Sequence, residues 1–119
     1  MIRAIDLTTK FALFGEPWQP KIFGELNDSF VKIAKLHGEF VWHHHEIEDE
    51  LFLVVTGILT IKLRDQDIVL DPGQFVIIPT GIEHLPVAEQ EVQAMLIEPK
   101  STVNTGNMLS QRTAGSEWI

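Results

Sequence analysis

Short apolar segments separated by turn residues dominate the chain after Pro20. Gly, Pro, Asn and Asp divide these segments, and Asp71-Pro72-Gly73 and Pro79-Thr80-Gly81 are strong turn signals. Such a pattern is typical of antiparallel sandwiches and barrels, and it yields too many strands for one open sheet. The predicted strands are Lys21–Leu26, Ser29–Leu36, Glu39–His45, Leu51–Val55, Leu59–Arg64, Asp67–Leu70, Gln74–Ile78, His84–Val87 and Val92–Glu98.

One short helix is predicted near the start of the chain. Asp6 is a suitable N-cap, and Leu7, Phe11 and Phe14 recur at helical spacing before Gly15 ends the segment. We therefore expect an N-terminal helical arm that precedes the β-rich part.

Length and composition agree with a single domain. The chain has 119 residues, of which 45% are hydrophobic, enough to bury a core without covalent cross-links. The residues from Pro99 onward are rich in Ser, Thr, Asn and Gly and predict an irregular wrap. We expect one all-β domain in three parts, with the arm at 1–19, a barrel at 20–98 and the wrap at 99–119.

Composition also narrows the chemistry and the partners. The chain contains no Cys, which excludes disulfides, thiolate metal sites and cysteine nucleophiles. The 9 Lys and Arg against 17 Asp and Glu give a net charge of −8, which disfavours nucleic acid and anionic membranes as partners. The sequence shows neither a signal peptide nor a run of membrane-spanning length. We therefore expect a cytoplasmic protein that binds a small molecule.

Three consecutive histidines stand in one predicted strand. Successive side chains of a strand leave opposite faces, so His43 and His45 share one face and His44 lies on the other. Two imidazoles at this spacing can chelate one ion. A short loop after them would let the next strand return with Glu50 beside the pair, and His84 follows a Pro/Gly turn later in the chain.

Two sequence motifs contain these candidate ligands. They are His43-x-His45-x4-Glu50-x6-Gly57 and Gly73-x5-Pro79-x-Gly81-x2-His84. In this order and spacing they resemble the paired motifs of the cupin superfamily. The chain is similar in particular to small single-domain bacterial cupins described as mannose-6-phosphate-isomerase-like. The resemblance implies a jelly-roll β-barrel of two antiparallel sheets with an ion held inside by His43, His45, Glu50 and His84.

The motifs depart from the family pattern in two places. Four residues separate Gly38 from His43, where the family usually has one more. Starting from His44 would restore that spacing but would lose the paired imidazoles, so we keep His43 and His45. The Asn that often ends the second motif is Ala88 here. This replacement leaves the ligand set unchanged but weakens the transfer of any particular activity.

The implied ligand set defines a range of chemistry. Three neutral imidazoles and one carboxylate leave a divalent ion with a formal charge of about +1 and with open octahedral positions. These donors suit Mn, Fe, Ni, Co, Cu or Zn without selecting among them. We expect a small-molecule metalloenzyme, either a sugar or oxo-acid isomerase or epimerase or a dioxygenase. The alternative is a non-catalytic module that binds or senses a small ligand through the ion.

Other residues near the motifs have structural interpretations. His37 and His44 are expected to be ordinary residues rather than ligands. Glu46, Glu48 and Asp49 belong to an acidic loop that is mostly solvated, in which one carboxylate can serve as a general acid or base. Four apolar residues are expected to line the barrel or its core. They are Phe52, Val54, Phe75 and Ile77.

Two aromatic residues fall on the strand face opposite the histidine pair. Phe40 and Trp42 predict an apolar patch on the outside of the barrel. Together with the extended segment from Pro20 to Leu26, this patch predicts a homodimer contact.

Overall fold

The computed structural model describes residues 2–119. It contains one short helix and eight strands. The helix is α1 Leu7–Phe11, and the strands are β1 Lys21–Leu26, β2 Ser29–Glu39, β3 Glu50–Thr56, β4 Leu59–Lys62, β5 Asp67–Leu70, β6 Phe75–Ile78, β7 Leu85–Pro99 and β8 Glu117–Trp118. The all-β prediction with a short N-terminal helix is confirmed. No helix within residues 2–119 is long and apolar enough to cross a bilayer.

Helix α1 is fixed at its start by the predicted cap. The Asp6 carboxylate accepts hydrogen bonds from the backbone N–H and the hydroxyl of Thr9, at 2.8 and 2.6 Å. At the other end of the helix Phe11 is buried in a small apolar cluster with Phe23 and Ile33. This cluster anchors the arm against strands β1 and β2.

Strand β7 is the centre of the sheet because it pairs with three other strands. It runs antiparallel to β2 along most of its length, to β4 near its start and to β3 near its end. Strand β4, which also pairs with β5, therefore lies beside the start of β7, and strand β3, which also pairs with β6, lies beside its end. This arrangement lets the sheet curve around an interior.

Alternation along the strands decides which side chains face that interior. Burial alternates on β3, β4 and the second half of β7, as expected for strands with one face in a core. These positions form the main apolar cluster together with residues of β2. Its strand members include Ala34, Leu36, Phe52, Val54, Leu59, Ile61, Val92, Ala94 and Leu96.

The connection between β3 and β4 depends on Gly57. Its φ of +87° lies in the left-handed region, which favours glycine. A Cβ at this position would lie only 2.8 Å from the carbonyl oxygen of Glu91. Conformation and space both require glycine here, which explains why the long apolar run divides at this residue.

The structure corrects three of the predicted β segments. The predicted strand Glu39–His45 does not form, because β2 ends at Glu39 and the following residues, 40–49, make only an isolated bridge between His43 and His84. The two predicted strands His84–Val87 and Val92–Glu98 are one long strand, with a register shift in the β2–β7 pairing between Leu36 and Gly38. The C-terminal wrap is not wholly irregular, since β8 pairs in parallel with β1.

The predicted lining is correct on β3 and wrong on β6. Phe52 and Val54 are buried, whereas Phe75 and Ile77 are 58% and 51% exposed. Strand β6 turns Ile78 inward, so the alternate positions Phe75 and Ile77 face outward. The sequence pattern alone did not fix the parity of this short, uniformly apolar strand.

Phe40 and Trp42 do not form the predicted outer patch. Phe40 is buried and stacks on Trp18, with ring centroids 4.7 Å apart. Trp42 is half-buried, and the Arg64 guanidinium lies 3.8 Å from its ring centroid. The face assignment fails because these residues do not belong to a regular strand. The homodimer stays a prediction, without the aromatic part of the surface that was assigned to it.

Candidate metal centre

Four buried side chains meet at one end of the interior. They are His43, His45, Glu50 and His84, and one ligand atom from each lies within 4.8 Å of the others. Glu50 Oε1 is 3.4 Å from both His45 Nε2 and His84 Nε2. The His43 and His84 ring centroids are 4.2 Å apart. The structure thus brings together all four residues that the family resemblance implies as ligands.

Backbone hydrogen bonds position these residues without a regular strand. His43 N–H donates to His84 O at 3.1 Å, and His84 N–H donates to His43 O at 2.9 Å. His45 O accepts a hydrogen bond from Gly81 N–H at 2.8 Å. Glu50 is the first residue of β3. The segment that carries the paired histidines is therefore held against the Pro/Gly turn and the start of β7.

The C-terminal wrap holds the same segment from outside. Asn107 Oδ1 accepts a hydrogen bond from His44 N–H at 2.8 Å, and Asn107 N–H donates to His44 O at 3.0 Å. Gly106 approaches that carbonyl so closely that a Cβ there would overlap it. These contacts fix the backbone between the two neighbouring imidazoles.

Two imidazoles have a second contact that sets their tautomer. His43 Nδ1 lies 2.8 Å from Val41 O, and His84 Nδ1 lies 2.9 Å from Ile82 O. Because a carbonyl can only accept, each Nδ1 carries the proton and each Nε2 keeps its lone pair. This is the contact that metal-binding histidines make through their other ring nitrogen.

Several polar atoms of the cluster have no hydrogen-bond partner within residues 2–119. They are His45 Nδ1, His45 Nε2, Glu50 Oε1 and His84 Nε2. A buried polar atom without a partner costs about 1–3 kcal/mol. A cation at the centre of the cluster would satisfy the atoms that face it, and a donor set of imidazoles and one carboxylate fits a first-row transition-metal ion.

The match to a known family covers the strands that carry these residues. Residues 29–98 match the family described as Cupin domain (Cupin_2), which is more than half of the 119 residues. The chain belongs to the cupin family.

Similar proteins support the same fold for this cupin. A cupin-2 domain containing protein from Shewanella frigidimarina is 46% identical, with a TM-score of 0.80 over 81% of this chain and 94% of that chain. Protein NMB1881 from Neisseria meningitidis is 26% identical, with a TM-score of 0.75 over 82% of this chain and 100% of that chain. These neighbours confirm the predicted cupin jelly-roll fold.

One curated protein is also similar to this cupin. The uncharacterized protein YdbB from Bacillus subtilis is 43% identical over 61 residues. The match covers 50% of this chain and 54% of YdbB, so the chain spans about half the length of that relative. The mannose-6-phosphate-isomerase-like subtype stays a prediction.

Burial and neighbouring groups shift the pKa values of His43 and Glu50 in the metal centre of this cupin. Burial lowers the pKa of His43 to about 4, and His84 contributes in the same direction. Burial alone would raise the pKa of Glu50, but the neighbouring polar groups of Glu98, His45 and His84 hold it well below its usual range. The centre therefore favours a neutral imidazole at His43 and an ionised carboxylate at Glu50, the forms that bind a cation.

The shifted pKa of His43 predicts a loss of stability in acid. Between the ordinary pKa of 6.5 and the folded value of about 4, the unfolded chain binds more protons at His43 than the folded chain. The stabilisation is therefore present above pH 6.5 and is lost as the pH falls towards 4. We expect the unfolding free energy of metal-free protein to fall by about 3 kcal/mol relative to His43→Asn over this range.

Urea unfolding in the presence of a chelator, at pH 7 and at pH 4, measures this difference. Asn keeps an N–H donor that can reach Val41 O but does not titrate, so the comparison cancels the contributions of the carboxylates. Parallel pH dependences of the two proteins would contradict the prediction.

The two other histidines of this segment of the chain lie outside the cluster. His37 is exposed at the end of β2, and its backbone oxygen accepts a hydrogen bond from Trp18 Nε1 at 2.8 Å. The ring of His44 is partly exposed, and its Nε2 lies 3.7 Å from Glu46 Oε1. Neither belongs to the group of converging ligand atoms.

The acidic loop has three different environments. Glu46 is exposed, whereas the Asp49 carboxylate accepts hydrogen bonds from the backbone N–H and the hydroxyl of Thr80, at 2.8 and 3.0 Å. Glu48 is buried, accepts a hydrogen bond from Ser101 at 2.7 Å and lies 4.0 Å from His45 Nδ1. Of the three loop acids that the sequence indicated, Glu48 is the one placed against a predicted ligand.

Sequence reasoning missed a charged pair in the interior. Lys32 Nζ lies 2.8 Å from Glu98 Oε1, and their side chains are 3% and 1% exposed. Burial raises the pKa of Glu98 well above its usual range and Glu50 adds to this, while Lys32 acts in the opposite direction. The signal was available, because Glu98 continues the inward alternation of Ala94 and Leu96 along β7.

Proposed function

We propose that this cupin binds one divalent transition-metal ion and acts on a small oxygen-bearing molecule bound beside it. The proposed ligands are His43, His45, Glu50 and His84. The observation that carries the proposal is the convergence of four buried ligand atoms within 4.8 Å of one another, several of them without a partner in the described chain. Membership of the cupin family supports the same assignment.

The bound ion would supply a Lewis acid that polarises a carbonyl or carboxylate oxygen. The protein supplies the surroundings. The contacts from His43 to Val41 and from His84 to Ile82 hold two imidazoles in the required tautomer. A small cavity next to the cluster is lined partly by Trp18 and other apolar residues, which exclude bulk water and strengthen electrostatic contacts inside.

The substrate class we propose is a small sugar or oxo acid, and the reaction is an isomerisation, an epimerisation or a dioxygenation. The net charge of −8 favours a small molecule over a polyanion such as nucleic acid. A site inside a fold of this size, rather than on an extended surface, also suits a small ligand. We further propose that the protein acts in the cytoplasm.

Metal content and turnover test the proposal together. Protein purified without added metal is expected to contain about one transition-metal ion per chain by elemental analysis, and a chelator is expected to remove it. The protein is then assayed with sugars and oxo acids under air and under nitrogen. Turnover under nitrogen supports an isomerase, and substrate-dependent oxygen consumption supports a dioxygenase.

Two outcomes contradict parts of this proposal. If several compounds raise the melting temperature of the metal-loaded protein but none is converted, the non-catalytic binding module replaces the enzyme. If no transition metal is found and none of Mn²⁺, Fe²⁺, Co²⁺, Ni²⁺, Cu²⁺ and Zn²⁺ binds on addition, the proposed metal centre itself is wrong.

A further inference from the structure

The interior contains a carboxyl group that the proposed metal centre does not use. Glu98 Oε1 accepts a hydrogen bond from Lys32 Nζ at 2.8 Å, while Glu98 Oε2 is buried without a hydrogen-bond partner in the described chain. Buried polar atoms are normally satisfied, and an exception calls for a physical explanation. Glu98 Oε2 is therefore an unsatisfied polar atom inside an apolar core.

Strand register places this carboxyl group beside the metal centre. Leu51 of β3 is opposite Ile97 of β7 in an antiparallel pair. The preceding residue of β3 is therefore opposite the following residue of β7, and these are Glu50 and Glu98. Directly opposite residues on one face have Cβ atoms about 5 Å apart. Both side chains are buried and point inward, so the two carboxyl groups are neighbours in the interior.

The two carboxyl groups also share a cavity. A cavity of about 30 Å³ is lined by Glu50, Glu98 and His43 together with apolar side chains such as Trp18 and Phe40. This volume holds a group of only about two or three non-hydrogen atoms. His43, Glu50 and Glu98 therefore all face the same small fragment of any molecule that enters the cavity.

We propose that Glu98, held in place by Lys32, is the residue that binds a hydroxyl group of the substrate. This inference rests on the proposed metal centre, which would hold a neighbouring carboxylate or carbonyl oxygen of the same molecule. It narrows the substrate class to small 2-hydroxy acids and 2-hydroxy carbonyl compounds, because these carry the two oxygens on adjacent carbon atoms. Asn104 also lines the cavity, but its side chain already bonds the backbone of Trp18, Arg112 and Ala114, so it offers little to a charged group on the rest of that fragment.

Glycolate and acetate test this assignment, because they differ only in the hydroxyl group. Isothermal titration of Co²⁺-loaded protein is expected to give an affinity for glycolate about tenfold higher than for acetate. Glu98→Gln keeps an oxygen that can accept from Lys32 but replaces the other oxygen with an amide N–H₂ group. We expect this variant to reduce the preference for glycolate to about twofold while its Co²⁺ affinity stays within about threefold of the parent.

The visible absorption of bound Co²⁺ gives a readout that does not depend on turnover. Glycolate is expected to change the spectrum of the parent protein and of Glu25→Gln at about tenfold lower concentration than acetate does. Glu25 is the matched control, because it is a surface glutamate paired with Lys100 at 2.9 Å. In Glu98→Gln the two titrations are expected to nearly coincide.

The outcomes separate this inference from the metal proposal. If Co²⁺ binds and glycolate keeps its advantage in Glu98→Gln, the hydroxyl acts only on the metal and the assignment of Glu98 is wrong. If Glu98→Gln loses Co²⁺ itself, Glu98 belongs to the metal centre and the inference is equally wrong. Failure of the parent to bind any transition metal overturns the metal centre and this inference together. Melting curves show whether a variant is folded. The Lys32→Met/Glu98→Leu double variant also lacks the Glu98 carboxyl group, so it is expected to show no preference for glycolate over acetate.

Discussion

Replacing His84 with alanine is expected to lower the affinity of this cupin for Co²⁺ at least about a hundredfold. His84 is fully buried, and its Nε2 lies 3.4 Å from Glu50 Oε1 without a hydrogen-bond partner in the described chain. Its removal deletes one of the three imidazoles of the proposed ligand set. Equilibrium dialysis of the chelator-treated protein against Co²⁺ measures the change.

His44→Ala is the matched control for this experiment. It removes an imidazole from the same stretch of chain, but the His44 ring is partly exposed and lies near Glu46. We expect its Co²⁺ affinity to stay within about threefold of the parent, because Asn107 holds the backbone of residue 44 rather than its ring. Equal losses from both substitutions would mean that His84 and His44 have been assigned wrongly.

His84→Asn separates metal binding from packing. An Asn side chain can place an N–H group where Nδ1 donates to Ile82 O, so it preserves more of the local structure than alanine does. We expect it to lose Co²⁺ as strongly as His84→Ala while melting closer to the parent. A variant that kept the metal would show that His84 is a structural residue only.

The sequence predicted most of the fold because strand and turn signals agreed locally. Gly57 and the Asp71-Pro72-Gly73 turn lie between strands as expected. The histidine segment was predicted as a strand because it is one of the short β-rich segments that follow Pro20. Its actual shape depends on distant partners, since Asn107 and His84 supply its backbone hydrogen bonds. Such long-range contacts have no local signature.

The four candidate ligands could be predicted for a different reason. Their spacing within two motifs resembles that of a known family. This resemblance identified the four residues even though the segment that carries His43 and His45 was wrongly predicted as a strand. His43 and His45 were assigned to one face on the argument of strand alternation, yet they are buried together in a segment that is not a regular strand. Glu98 and Lys32 lie outside both motifs. Only the pairing of β2, β3 and β7 brings Glu98 to the cavity and Lys32 to Glu98.

Lys32→Met is expected to lower the unfolding free energy by about 3–5 kcal/mol at pH 8. The substitution keeps the length and apolar stem of the side chain but leaves Glu98 buried beside Glu50 without its counter-charge. Lys100→Met is the matched control, because Lys100 and Glu25 are 2.9 Å apart but 40% and 51% exposed. We expect that control to change the unfolding free energy by less than about 1 kcal/mol.

The pH dependence of Lys32→Met identifies the group responsible. The pKa of Glu98 is already raised by burial and by Glu50, and Lys32 is the group that opposes this. Without Lys32 the folded carboxyl holds its proton more strongly than the unfolded one does. The unfolding free energy of Lys32→Met is therefore closest to that of the parent at low pH. It falls further below the parent as the pH rises through the folded pKa of Glu98. Denaturant unfolding at pH 5 and pH 8 measures this trend, and a deficit that is equal at both pH values would contradict it.

Removing both charges distinguishes an ion pair from a general effect of packing. In Lys32→Met/Glu98→Leu no charge is left unpaired, and buried pairs replaced by apolar residues of similar volume often lose little stability or gain some. We expect the double variant to recover at least about 2 kcal/mol of the loss caused by Lys32→Met alone. Such a recovery would mean that the fold does not need this pair. A buried Lys–Glu pair that the fold does not need, beside four candidate metal ligands, is then better explained by what the cavity binds than by stability.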